Sequence, residues 1–422
     1  MVTRLMTQYK HINWLVADQL VVSGANFFTG LYIARLLGLE QFGHYTIIWL
    51  MVQFFSSMQE SFLLSPMMSI TAKLPSNMAH RYLSGVISIG LSYSLIMTTL
   101  LMAISLIANI SFLNISTSAL ISLFLVMLFF LIQEMLRRYL FTCERRKVAF
   151  FNDAITHIGH VFLLILFTFS KENIVLMDVF LTRAISSFVA ILFTLLVIEK
   201  FNYTKGNAIY AWKRNWPMSK WMVSSAITHW LTSNLFIIAA GLHLGNTAVG
   251  ALKAAQNILG INHIFFQLIE NTVPVRASKL LIRFGINNMT NYLKKITIMS
   301  GIGLLFLSIL IVIFSNEIMT IIYNKEYAQY SWLLVGYAFI YFLIFLSFPL
   351  RIFLRTIEKT KQIFYAYLVT ALFSIFASNV FVANMGLNGA IYGMISLNII
   401  MLIILYFYAR KEKHYYKNNS TL

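Results

Sequence analysis

Apolar runs of 18 or more residues recur along the whole chain. Each is long enough to cross a hydrocarbon core about 30 Å thick as a helix. Without water, every backbone N–H and C=O must find a partner within the chain, which leaves helices or closed barrels. The runs are continuous rather than alternating, so a barrel is excluded. The fold class is therefore all-α and polytopic. Twelve spans are expected, at roughly 13–35, 44–65, 83–107, 115–136, 148–169, 174–198, 221–243, 249–272, 293–314, 330–350, 362–384 and 387–409. Only 11% of the 422 residues are charged, against about 25% in soluble domains. No cleavable signal peptide is expected, because Asp18 and Gln19 interrupt the first run where a signal core would be unbroken.

A net charge of +18 could suggest a nucleic-acid partner, but its distribution gives another reading. Counting basic residues at span edges with the adjoining loops, the N-terminus, even-numbered loops and C-terminus hold 27 lysines and arginines. The odd-numbered loops hold only Arg35, Lys171 and Lys325. This is the positive-inside bias, which puts both termini in the cytoplasm and makes the basic excess a topology signal. No nucleic-acid partner is called for. Cys143 is the single cysteine, so no intramolecular disulfide can form.

The two halves repeat one another. The stretch "NFFTGLYIARLLGLEQFG" (26–43) lies on "NLFIIAAGLHLGNTAVG" (234–250), so that Gly38 meets Gly245 and Gly43 meets Gly250 at an offset of 207. Asn26 and Pro66 meet Asn234 and Pro274 at 208. Further on, "ERRK" (144–147) parallels "EKTK" (358–361). Two six-helix lobes are expected, 1–206 and 207–422. Six is even, so both enter from the same side, as a parallel repeat about an axis along the membrane normal. Arg35 stands about 180° from the polar positions of its own span and just before Gly38. It reads as a cation in the last turn of a helix that a left-handed glycine stops.

The order Asn26, "ARLLGLEQFGHY", Pro66 resembles the first two helices of the polysaccharide flippases in the multidrug/oligosaccharidyl-lipid/polysaccharide (MOP) exporter superfamily. "IIYNKEYAQYSWLL" (321–334) is similar to the segment before their tenth helix, and "GLNGAIYG" (386–393) to the start of their twelfth. The resemblance covers nearly the whole chain. It implies a V-shaped, two-lobed protein of the bacterial inner membrane that works by alternating access. The implied partner is a polyprenyl-pyrophosphate-linked oligosaccharide, such as an O-antigen repeat unit on undecaprenyl pyrophosphate, within the membrane lipids. A polysaccharide polymerase and a chain-length regulator are further implied partners. No cofactor and no covalent chemistry are expected. Two alternatives stay open: a multidrug or cation antiporter of the same superfamily, and a membrane polysaccharide polymerase. The longest outer loop, around 315–329, is short for a polymerase's catalytic loop.

Polar positions within the spans can be read independently of that resemblance. An ionisable side chain costs about 2.5–3.5 kcal/mol at the centre of a membrane helix, so it normally faces protein or a watery cavity. In the eighth span Lys253, Gln256, Gly260, His263, Gln267, Glu270 and Pro274 recur at intervals of three and four, on one face. The second span carries Thr46, Gln53, Ser56 and Glu60, the first Gln19, Ser23, Asn26 and Gly30, and the seventh Ser225, His229, Thr232 and His243. These four faces are the expected lining of a central cavity, with helix–helix hydrogen bonding as the alternative. Arg183 lies about nine residues into the sixth span. Its guanidinium suits bidentate contact with a pyrophosphate; an ion pair with Asp153 or Asp178 is the other reading. Lys253 is a second phosphate candidate, or it snorkels to the interface. Asp153, Thr156, His157 and His160 share one face of the fifth span. They suit proton or ion coupling, a bracing polar network, or a metal. Glu60 and Glu270 sit near helix ends beside basic loops and are candidates for gating pairs.

Overall fold

The computed structural model describes residues 2–108, 117–198 and 204–419, and every regular element in them is a helix. Helices α1 (Val2–Gln59), α2 (Ser65–Thr71), α3 (Ser76–Ala108), α4 (Thr117–Thr142), α5 (Arg146–Ser170), α6 (Leu176–Val197) and α7 (Lys205–Leu244) come first. They are followed by α8 (Asn246–Leu259), α9 (Ile261–Ile313), α10 (Ser315–Ile322), α11 (Lys325–Ala328), α12 (Trp332–Thr356) and α13 (Thr360–Asn419). A π-helical turn, Glu60–Leu64, joins α1 to α2 ahead of Pro66, which cannot donate to the helix ladder.

Among the described residues nine helices are long and apolar enough to cross a membrane. Two of them, Ala17–Thr71 and Thr360–Tyr416, are each long enough to hold two of the expected spans. Each is interrupted at a glycine with positive φ, Gly38 (73°) and Gly386 (58°), where the backbone is non-helical and one helix gives way to the next. The expected eighth span comprises α8 and the start of α9, and the ninth lies in Arg276–Ile313. The chain is a multi-pass membrane protein.

The chain forms two compact units. The first comprises residues 1–37 and 48–227; the second comprises 38–47 and 228–422. The division falls inside α7 because the first turns of α7 pack on the first unit. Tyr82 donates to Asn215, Ser219 Oγ donates to the carbonyl of Phe62 at 2.6 Å, and a β-carbon on Gly85 would meet the carbonyl of Asn207. Within this unit α4 packs against α6 and α3, and α5 against α6. In the second unit α12 is central, against α13, α9 and α8.

The elbow 38–47 groups with the second unit for a steric reason. A β-carbon on Gly43 would lie 1.8 Å from the carbonyl oxygen of Asn246, and one on Gly250 would lie 2.2 Å from that of Leu39. Positions 39 and 43 correspond to 246 and 250 at the repeat offset of 207. The two helices therefore cross backbone to backbone, each placing its glycine against the other's first turn. Gly38 and Gly245, at the two elbows, share one backbone conformation (φ 73°, ψ 175° and φ 82°, ψ −177°). The left-handed φ at Gly38 is the helix stop expected from the sequence, and Arg35 before it is exposed.

The repeat is equally plain at the other end. Glu144 and Glu358, 214 residues apart, are the described non-glycine residues with positive φ, at 56° and 60°. In both turns the next amide bonds back five residues, Arg145 to Leu140 (2.9 Å) and Lys359 to Leu354 (2.8 Å). Such a 6→1 bond satisfies a carbonyl at the helix C-terminus.

The crossing leaves no room for a methyl group. Gly43→Ala or Gly250→Ala is expected to destabilise the protein by about 1–3 kcal/mol, as overpacking does, and to lower its unfolding temperature in detergent. Gly303→Ala, where a β-carbon would meet nothing within 4 Å, should leave that temperature unchanged. Equal behaviour of the three variants would contradict the close crossing.

Candidate functional site

Three helices of the first unit bring charge together. Arg137 of α4 directs Nε to Asp153 Oδ2 of α5 at 2.5 Å, Nη2 to Asp18 Oδ2 of α1 at 3.5 Å and Nη1 to Glu134 Oε2 at 3.6 Å. Both aspartates are buried. Gln133 donates to Asn152 Oδ1 (2.6 Å) and to Asp153 Oδ1 (3.4 Å). Asn152 in turn donates to Thr194 Oγ1 (2.6 Å) and to the carbonyl of Ala190 (3.1 Å) on α6. Four helices are tied by one network. Buried charges survive only when paired and hydrogen-bonded in this way.

A second cluster lies beside it on α5. His157 Nδ1 is 3.0 Å from Asn26 Oδ1 of α1 and 3.4 Å from Arg183 Nη1 of α6. With its proton on Nδ1, His157 donates to Asn26 Oδ1; with Nδ1 bare, it accepts from Arg183, so the tautomer chooses between the two contacts. Arg183 also lies over the ring of Phe130, 5.6 Å from its centroid. His160 is buried one turn further along the same face. The carboxylates considered as partners for Arg183 are engaged elsewhere. Asp153 pairs with Arg137, while Asp178 pairs with Lys171 at 2.5 Å and accepts from the amide of Val175 at the start of α6. Asp153 thus turns to an arginine and His157 to an amide and an arginine, so the expected histidine–carboxylate set separates into two clusters. Among the described residues no group of three His, Cys, Asp or Glu is arranged to hold a metal.

Other expected residues are more scattered. Gln19 donates to Ser23 Oγ at 2.8 Å, and both Gln19 and Gln53 are exposed. Glu60 pairs with Arg138 at 3.1 Å and accepts from Ser65 at 2.8 Å, an ion pair at the end of α1. In the second unit Lys253 is half-buried and donates to Gln256 Oε1 at 3.0 Å. The stripe on the eighth span is not carried by one continuous helix. At Gly260 the ladder tightens to a three-residue bond, Gly260 to Asn257 at 3.0 Å, which ends α8. Three residues per turn advance the face by 120° rather than 100° per residue. The side chains of His263, Gln267 and Glu270, beyond that break, lie outside the described residues. His229 is exposed, with its ring edge-on to Tyr367 at 5.2 Å.

Arg351 was not among the expected site residues. It donates to Tyr367 Oη (3.0 Å) and to Ser347 Oγ (3.2 Å) within the second unit. Each of these residues lies 214 positions after a member of the first network: Gln133, Arg137 and Asp153 correspond to Ser347, Arg351 and Tyr367. The arginine recurs, while its buried aspartate is replaced by a phenol.

The profile described as polysaccharide biosynthesis protein matches residues 9–278. The chain belongs to that family. A second profile, MatE, matches residues 222–380. The fold is similar to that of a solved structure described as the inward-facing conformation of a multidrug resistance MATE family transporter of the MOP superfamily. The TM-score is 0.73 and the identity 13%, over 97% of this chain and 99% of that one. The lipid II flippase MurJ, in an inward closed conformation, also scores 0.73, at 15% identity over 94% of this chain and 87% of its own. A MOP superfamily transporter from Pyrococcus furiosus scores 0.64 at 12% identity, over 96% and 94%. No curated protein matches this chain in sequence. Its fold is the one these MOP superfamily structures share.

Arg137 is the keystone of the first network. Arg137→Gln leaves Asp18 and Asp153 buried without their cation and should cost about 3–5 kcal/mol, read as a lower unfolding temperature. Arg137→Gln combined with Asp153→Asn should recover part of that loss, because the two share one interaction. Additive losses would show that the pair is not coupled.

Proposed function

We propose that this protein flips polyprenyl-pyrophosphate-linked oligosaccharide repeat units, with O-antigen units as the leading class, from the cytoplasmic to the outer leaflet of the bacterial inner membrane. The observation that carries this reading is the polysaccharide biosynthesis profile across residues 9–278, in a chain whose cavity candidates include the membrane-embedded cations Arg183 and Lys253. In this reading both termini are cytoplasmic and the lobes 1–206 and 207–422 rock about a central path. Arg183 and Lys253 hold the pyrophosphate by charge-assisted bonds. Asn26, Gln19, Gln53, Gln256, His263, Gln267 and His229 offer hydrogen bonds to sugar hydroxyls. Asp153, His157 and His160 couple the movement to an ion gradient, and Glu60 and Glu270 act at the gates. Rate acceleration by covalent chemistry has no part in it.

The MatE match over residues 222–380 favours a second reading, export of a cationic drug. Two measurements separate them. Deleting the gene should make polyprenyl-linked repeat units accumulate on the cytoplasmic leaflet while surface polysaccharide disappears. Drug hypersensitivity with normal surface polysaccharide would select the exporter instead.

Arg183→Gln should reduce flipping in proteoliposomes by roughly 10–100-fold, the range expected for losing a charged hydrogen-bonding partner. A rate unchanged in that variant would remove Arg183 from the substrate site. An imposed pH or Na+ gradient should change the wild-type rate, and a rate indifferent to both would sink the coupling role of the fifth-helix residues.

A further inference from the structure

We propose that the second unit holds a site for one anionic glycerophospholipid, apart from the translocation path. It is a pocket of about 680 Å3 between the first turns of the membrane part of α9 and the last turns of α12 and α13. Pro349, Leu350 and Phe353 form an apolar wall, with Leu293 buried beside them. Lys294, Arg410 and Lys413 stand exposed at its edge, and no carboxylate is among the lining residues. Glu412, the acid nearest in sequence, is buried and held by Lys359 (3.4 Å) and Gln362 (3.1 Å).

The internal repeat shows what this surface is like when covered. Pro349, Leu350 and Phe353 correspond, 214 residues earlier, to Met135, Leu136 and Tyr139. The pair Tyr292–Leu293 on α9 corresponds to Tyr82–Leu83 on α3. In the first unit those residues belong to one buried core, joined by Ala211 of α7. The first turns of α7 lie over it, pressed against Gly85 and bonded to Tyr82 through Asn215. In the second unit these positions line a pocket, where Pro349 and Leu350 are half-buried and Phe353 and Leu293 stay buried. Lys294 stands there in place of Ser84, the residue after the repeated Tyr–Leu pair. Half-buried Pro349 and Leu350 thus face a pocket that three cations also line.

That chemistry fits an amphiphile with an anionic head. The phosphate meets Lys294, Arg410 and Lys413, while an acyl chain covers the wall that α7 covers in the first unit. Basic pockets between membrane helices recognise lipid head groups in this way. All three helix ends belong to the basic-loop side of the protein, at headgroup depth for the leaflet they face. None of the lining residues is among the cavity candidates, so the proposal stands independently of what the protein carries.

The test uses the purified full-length protein in detergent. Native mass spectrometry and thermal unfolding are followed as phosphatidylglycerol, phosphatidylcholine, inorganic phosphate or undecaprenyl phosphate is added. Phosphatidylglycerol should be retained as a bound lipid and raise the unfolding temperature, while phosphatidylcholine and phosphate do neither. Removing Lys294, Arg410 and Lys413 as glutamines should weaken that binding on the order of a hundredfold, about fivefold for each cation. Lys294→Gln alone supplies the single step if the triple variant is poorly produced. Replacing Lys213, Arg214 and Lys220, exposed cations of the first unit, should leave binding intact. Equal loss in that control set would reduce the effect to general charge attraction and overturn the site. So would phosphatidylcholine bound as tightly, or phosphate alone giving the same shift. Undecaprenyl phosphate bound more tightly than phosphatidylglycerol would make the pocket a capture point for a polyprenyl carrier and overturn the phospholipid assignment.

Discussion

Helices joined by short turns need residues that stop one helix and satisfy its last carbonyls within a few positions. That constraint falls here on a few residues. Gly38 and Gly245 take a left-handed φ that lets one helix stop and the next begin at once. Glu144 and Glu358 take the same region at the opposite turns, where the cost of a side chain is offset by the amide that bonds back five residues. Because these turns are short, consecutive helices stay adjacent. Their faces then need small residues where backbones cross, as Gly43 and Gly250 do. The helical content follows from the medium, and the packing follows from the turns.

The two halves share this scaffold and diverge in what they place inside it. Arginine occurs at equivalent positions of α4 and α12, 137 and 351. In the first unit it faces buried carboxylates from two other helices, whereas in the second it meets a phenol and a serine hydroxyl. Thr156 and Thr370 are also equivalent, both buried and both bonded to the carbonyl four residues back. The backbone frame is therefore duplicated, while among the described residues most of the buried ionisable groups lie in the first unit.

The family profile and the geometry bear on different parts of function. The profile places the chain among polysaccharide biosynthesis proteins, and the solved relatives include both a multidrug transporter and a lipid II flippase. At 12–15% identity those likenesses speak for the fold alone.

Hydropathy alone made the helical membrane class legible, and the repeat was visible in its glycines and asparagines. Gly38 could be read as a stop because the apolar pattern breaks there. Asn26, His157 and Arg183 were each picked out as polar positions inside apolar runs, but their meeting was not visible, since they lie on three helices distant in sequence. Arg137 and Arg351 were counted as loop charges, because an apolar run appears to end at its first cation. Their helices in fact continue to Thr142 and Thr356, since a helix ends where its hydrogen-bond ladder ends rather than where its hydropathy does. The sequence by itself thus determined which segments cross the membrane and where they turn, because bilayer thickness and backbone sterics act locally. Only the tertiary structure decided which charge neutralises which, because a buried cation's partner is set by the packing of distant helices.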